Sequence, residues 1–463
     1  MAVGRKSERP QTEAVDGGGP DAAPHPHGRL TGFLESCGSL QVAVLAGVAA
    51  FGAYTCMYAV RKPFTAAAFS TVSPVMIGAS VLKYKSLLVI AQVIGYALSK
   101  FLGIKFVSEA KRRNRELMIL TLIGLAELAL LGFAVTSPPW NALFLFLNGL
   151  PLGMIWGLVF AYLEGRRMTE VMGLILCASF ILSSALVKDA GIRLLSVPGV
   201  TEFSMPFWTG LVFALPLVIC VWFLRQLPPP SQQDVAQRTL RRPMSRAERW
   251  ALFGRFAGGL VVLIVVYTLL TAYRDFRDSF FADILNDLRG PNHGLSFGKI
   301  ESRVMLGVLP ALMLLAFVRR NDWALWANHL VIFGGLATVG ISTWLYQRGT
   351  LPDIPWLVMT GIGAYLAYIP FNCILFERLL AAFRHVGNVG FLIYVADSFG
   401  YLGSVAVVLY KDLWAPQLDW LNFFIRASYA LALVGGVGTL VSWAYFYAKH
   451  QGWIAGDRAT PQE

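Results

Sequence analysis

The sequence predicts an all-α membrane protein of about twelve transmembrane helices, arranged as two pseudo-symmetric six-helix bundles. Three observations predict it. Of 463 residues, 56% are hydrophobic and only 14% charged, whereas soluble domains carry roughly a quarter charged residues. Apolar runs of about 20 residues, the length of helix that crosses a hydrocarbon core, repeat from end to end. The charged residues gather between those runs. Lipid offers no partner to an open strand edge, so the runs read as helices rather than strands.

Helices are expected at 40–69, 84–104, 117–136, 141–163, 168–187 and 204–225, and a second set at 253–284, 301–318, 324–346, 354–376, 386–410 and 421–448. Residues 1–35 are rich in Gly, Pro, Asp and Arg and lack the apolar core of a cleaved signal peptide, so they read as a disordered cytosolic tail. Residues 36–226 form the first bundle. The linker 227–250 holds Pro228-Pro229-Pro230 and five arginines, among them Arg241 and Arg242. The second bundle spans 251–449, and 450–463 is a cytosolic tail.

The formal charge of +12 would hint at nucleic acid in a soluble protein. Here it follows from topology, because Lys and Arg accumulate in cytosolic loops. Lys111, Arg112, Arg113 and Arg115 follow the second helix, Arg166 and Arg167 the fourth, Arg319 and Arg320 the eighth, and Arg378 and Arg384 lie between the tenth and eleventh. The alternate loop Ser137-Pro138-Pro139-Trp140 has no charge. The expectation is a multi-pass plasma (inner) membrane protein, monomeric, with both termini cytosolic. The five cysteines are scattered through apolar segments, with no spacing for disulfides or a metal site, and no cofactor is expected. No Walker, HExxH or G-x-S-x-G sequence supports ATP-driven or enzymatic chemistry.

The halves look duplicated. Tyr54-Thr55 precedes Arg61 as Tyr267-Thr268 precedes Arg274, and Glu164 and Glu377 close equivalent helices. Both arginines and both glutamates are 213 residues apart. Paired six-helix halves place a solute site at their interface, near the bilayer midplane.

Ionisable residues within membrane helices are costly and tend to face a cavity. Tyr54, Tyr58, Arg61 and Thr65 share one helix face, with Lys62 beside Arg61. A cationic, aromatic face suits an anion, since the guanidinium fork matches phosphate or carboxylate oxygens. Alternatively the helix ends here and Arg61 snorkels to the surface. Tyr267, Thr271, Arg274 and Asp278 form a second such face, on which Arg274 either binds solute or is neutralised by Asp278 one turn on. Gln92, Tyr96 and Lys100 form a third, with Lys100 either a ligand or a snorkelling lysine. Asp397, flanked on its face by Tyr394 and Tyr401, is either a proton carrier or a helix-to-helix hydrogen bond, and Glu127 is equally open. Glu164 with Arg166 or Arg167, and Glu377 with Arg378, are either gate pairs or solvated loop charges. Gly149, Gly153 and Gly157 form a packing face rather than a site.

At these residues the chain resembles the major facilitator superfamily, and within it the organophosphate:phosphate antiporters that carry glycerol 3-phosphate and hexose phosphates. The run Tyr58-Ala59-Val60-Arg61-Lys62-Pro63-Phe64 is similar to that family's helix 1 anion-binding segment, and Gly95-Tyr96-Ala97-Leu98-Ser99-Lys100-Phe101 to its helix 2 segment. Cys177-Ala178-Ser179-Phe180 occupies the region of the family's helix 5 histidine, and Glu109 is the nearest match to the superfamily's acidic residue after helix 2. The resemblance implies Arg61 and Lys100 as phosphate contacts, with Arg274 near the helix 7 arginine. It also implies secondary transport of an organic phosphate or phosphate by alternating access. A proton-coupled symporter of another organic anion and a transporter-like sensor without turnover are the alternatives.

Overall fold

A computed structural model describes residues 29–78, 80–108, 114–164, 166, 168–228, 246–290, 294–318, 320–383 and 389–453. Most of the expected tails and of the central linker, and Glu109, Lys111, Arg112, Arg113, Arg167, Arg319 and Arg384, lie outside the described residues, but 29–35, expected as disordered tail, is helical.

After a short helix α1 (Arg29–Ser36), the first half runs α2 (Ser39–Arg61), α3 (Tyr84–Ser108), α4 (Arg115–Val135), α5 (Ala142–Leu152), α6 (Ile155–Phe160), α7 (Thr169–Cys177), α8 (Ser179–Leu195) and α9 (Met205–Arg225). The second half runs α10 (Arg246–Ser279), α11 (Phe281–Arg289), α12 (Phe297–Ala316), α13 (Asn321–Gln347), α14 (Asp353–Cys373), α15 (Leu375–Ala382), α16 (Val389–Leu413), α17 (Trp420–Ala430) and α18 (Gly436–His450). Short breaks divide α5 from α6, α7 from α8 and α14 from α15, and one π-helical turn, Leu431–Gly435, joins α17 to α18. Among the described residues, ten segments are long and apolar enough to cross a bilayer. The helices α3 and α12, of 25 and 20 residues, are of spanning length as well.

An even number of crossings returns the chain to the side from which it started. The start of α2 and the end of α18 therefore share one face, here called the terminal end; the opposite face is the far end. Exposed tryptophans mark both: Trp250, Trp323 and Trp453 at the terminal end, Trp140 and Trp414 at the far end. Such amphipathic rings sit at headgroup level. Between them the outer surface is apolar, with Leu128, Leu215, Leu306, Leu314 and Leu433 exposed. The protein is an integral, multi-pass membrane protein.

Two further details differ from expectation. The first helix stops at Arg61, not near 69, and a 3-10 turn, Pro63–Ala66, follows. Proline has no N–H for the helical ladder and disfavours helical geometry in the residue before it. A small antiparallel hairpin, β1 (Val75–Ile77) with β2 (Ser80–Leu82), then leads into α3. Two of the three glycines pack as expected: a Cβ on Gly149 would lie 2.3 Å from the Gln92 carbonyl, and one on Gly153 2.7 Å from that of Tyr96. Gly95 of α3 meets the Phe146 carbonyl in return. Backbone-to-backbone contact of this kind fixes α3, and with it Tyr96 and Lys100, against the first half.

Candidate functional site

The halves meet around a small central cavity, to which both contribute. The first half supplies Tyr54, Tyr58 and Arg61 from α2, Tyr96 and Lys100 from α3, and Trp156 and Phe180. The second supplies Arg274 from α10, Tyr368 and Asn372 from α14, and Asp397 and Tyr401 from α16.

Arg61 is buried and does not snorkel. Its guanidinium stacks 3.7 Å from the Tyr96 ring centre, while Nε and Nη2 have no hydrogen-bond partner. Gln92 Nε2 donates to the Arg61 carbonyl and to Asn148, which in turn donates to the Val60 carbonyl. These bonds satisfy the carbonyls at the end of α2 where Pro63 prevents another turn, and so hold Arg61 in place. Arg274 lies over the Tyr368 ring at 4.6 Å, and its Nε is likewise buried without a partner. Among the described residues neither arginine has an ion pair. Lys100 does, at 3.2 Å from Asp397 Oδ2.

Asp278 does not neutralise Arg274. Its carboxylate turns away and accepts Lys62 and Lys188, each at 2.8 Å, and Ser184 at 2.5 Å. Lys62 therefore lies outside the cavity wall, although the sequence places it beside Arg61 as a solute contact. It bridges Asp278 and Asp275, the latter at 3.2 Å. Lys62 and Asp275 directly follow the two equivalent arginines, so the duplicated positions carry opposite charges and pair with each other. One residue beyond Lys188, Asp189 accepts the N–H groups of Phe297 and Gly298, both at 2.9 Å, and the Ser296 hydroxyl. A carboxylate of one half thus caps a helix N-terminus of the other. Lys85 of α3 pairs with Asp283 of α11 at 2.6 Å. Together these contacts close the far end across the halves.

At the terminal end, a pair across the halves forms on Glu170. Arg378 reaches Glu170 Oε1 at 3.0 Å and also donates to Asn321. Arg166 donates to the Tyr162 and Pro228 carbonyls. Tyr267 stands behind the cavity wall and donates its hydroxyl to Asp397. Glu127 lies away from the cavity, on α4 against Gly210 of α9, with both carboxylate oxygens unpartnered.

Sequence reasoning missed Trp156, Phe180, Tyr368 and Asn372 in the cavity, and Lys188, Asp275 and Glu170 in the closures. Lys188-Asp189 reads as the polar end of a helix, yet α8 continues to Leu195 because the second half supplies counter-charges.

Twelve spanning helices in two halves, with a cavity between them, form the major facilitator fold. The chain belongs to the family of unknown function DUF5690, whose profile matches residues 63–449. No curated protein matches the sequence. Among solved structures, a D-xylose-proton symporter is similar at a TM-score of 0.56 and 13% identity, covering 88% of this chain and 97% of that one. The inward-open xylose transporter XylE from E. coli is similar at 0.57 and 14%, covering 88% and 96%. At these identities the likeness is one of fold.

Proposed function

We infer that the protein is a secondary transporter of a small anionic solute, working by alternating access. One observation carries the anion: two buried arginines, from equivalent positions in the two halves, face one cavity with guanidinium nitrogens unpartnered. Leaving such groups unpaired away from water is costly, and an anion bridging them would offset that cost. Because it would touch both halves at once, it would favour the closed arrangement, and such differential affinity is what moves a conformational equilibrium. The resemblance of the Arg61 and Lys100 segments to the organophosphate antiporters makes an organic phosphate, exchanged for phosphate, the first solute class to test.

The test is titration of the purified protein with inorganic phosphate and glycerol 3-phosphate. Arg61→Ala and Arg274→Ala should each abolish binding, while lysine at either position keeps the charge, loses the bidentate fork and binds more weakly. Arg274→Ala binding as tightly as the parent would sink the two-arginine site. A second reading, proton-coupled symport, is favoured by the Asp397 carboxyl in the cavity wall. Uptake into proteoliposomes driven by a pH gradient supports it, and exchange without one supports antiport.

A further inference from the structure

We propose that Asp397 is an internal stand-in for the solute's anionic group, holding Lys100 until the solute takes it over. The proposal rests on the anion reading above and names what happens at that site.

Lys100 belongs to the first half and Asp397 to the second, so their ion pair is also a tie between the halves. Both side chains are almost fully buried, at 4% and 7% exposure, and both line the cavity. Lys100 lies one turn beyond Tyr96, on whose ring Arg61 rests, so an anion held by Arg61 comes within reach of the lysine. The two partners are not equally fixed. Asp397 also accepts the Tyr267 hydroxyl, which stands within 3.3 Å of the Asn372 side-chain oxygen and is stacked on Tyr368. Lys100 has no other ion pair among the described residues, only aromatic faces at 5.5 and 5.9 Å. When an anion enters, the lysine is the group free to swing; the carboxylate stays with its tyrosine. Lys100 then leaves Asp397 for the solute, and one tie between α3 and α16 is undone on the terminal side of the cavity. The exchange replaces one charge-assisted hydrogen bond by another, so it runs in either direction without large net cost.

This arrangement predicts effects of opposite sign. Asp397→Asn removes the competitor, and inorganic phosphate should bind about tenfold tighter or more, the scale of one released charge-assisted bond. Tyr267→Phe withdraws the donor that partly satisfies Asp397, so the carboxylate should hold Lys100 harder and phosphate should bind several-fold more weakly. A gain of affinity is not what structural damage produces, and the tyrosine variant tests the same exchange should the asparagine variant fold poorly. Isothermal titration at one fixed pH, on the full chain with inorganic phosphate, decides it. Unchanged or weaker binding in Asp397→Asn, with the parent binding normally, overturns the exchange. So does Tyr267→Phe binding more tightly than the parent. A parent that binds no phosphate, with Arg61→Ala indistinguishable from it, overturns the anion reading and the exchange with it.

Discussion

Replacing Asp278 by asparagine should open the far end. In the closed protein this carboxylate holds Lys62 and Lys188, both buried, and the Ser184 hydroxyl. The amide keeps the shape and loses the charge. Removing one partner of a buried ion pair costs roughly 3–5 kcal/mol, because the other charge stays buried uncompensated. Asp275 still serves Lys62 at 3.2 Å, so the lower figure applies, with Lys188 the group left stranded. In an opened far end both lysines reach water, and the loss therefore falls almost wholly on the closed state. About 3 kcal/mol corresponds to a shift of roughly 150-fold, enough to take a population about 99% closed to one mostly open. The assay is electron–electron double resonance between spin labels at Val197 and Thr350, exposed far-end positions in the first and second halves. The parent should give one short distance, and Asp278→Asn a dominant longer one. An unchanged distribution would refute the reasoning, since it would mean that the network does not hold the halves together.

Other outcomes follow from the same contacts. Lys62→Asp should open the far end as Asp278→Asn does, and adding Asp275→Lys should restore closure in the same spin-label measurement, because the pair is then rebuilt with reversed sign. Gly149→Ala should lower the thermal midpoint of the purified protein by several degrees, since its Cβ would lie 2.3 Å from a backbone carbonyl that has no side-chain freedom to yield. If protons are coupled to transport, Asp397→Asn should impair pH-driven uptake and spare exchange; an unchanged pH dependence removes Asp397 from coupling. Tags placed after Glu463 and within 232–241 should both be shielded from an impermeant reagent added outside, as the Lys and Arg distribution requires.

Much of the architecture is legible in the sequence because a bilayer imposes one rule. Backbone groups must be satisfied within each crossing, so every apolar run of sufficient length is a helix, and helices such as α4, α9 and α13 fall within a few residues of their predicted bounds. The cavity arginines are legible for a related reason: a charge in a low-charge stretch needs a polar destination. Partnership is not legible. Arg274 and Asp278 stand one turn apart on one helix, and local spacing pairs them; instead each finds different surroundings, set by residues more than 80 positions away in α8 and α14. Lys62 illustrates the same limit. Next to Arg61 in sequence, it points to the opposite side of the cavity wall, because the helix ends between them and the direction of the chain changes. Aromatic lining residues such as Trp156 and Phe180 carry no signal of their own in a chain that is 13% aromatic.

The described contacts across the halves differ in burial between the two ends. At the far end Lys62, Lys188, Asp275 and Asp278 are all nearly buried, and Asp189 adds a helix cap across the halves. Breaking these contacts one at a time strands charge in a dry place, so they should form and part together. At the terminal end, among the described residues, Arg378 pairs with Glu170 across the halves, and the Glu170 side chain is 35% exposed. Pairs of that exposure contribute about 0–1 kcal/mol, since water takes over the hydrogen bonds when they separate. A buried ion pair on that side, Lys100 with Asp397, lines the cavity itself. A solute that draws Lys100 away weakens the closure on its own side while contributing, through Arg61 and Arg274, a new bridge deeper in. Binding would thus trade one link between the halves for another, which keeps the occluded state from becoming a trap.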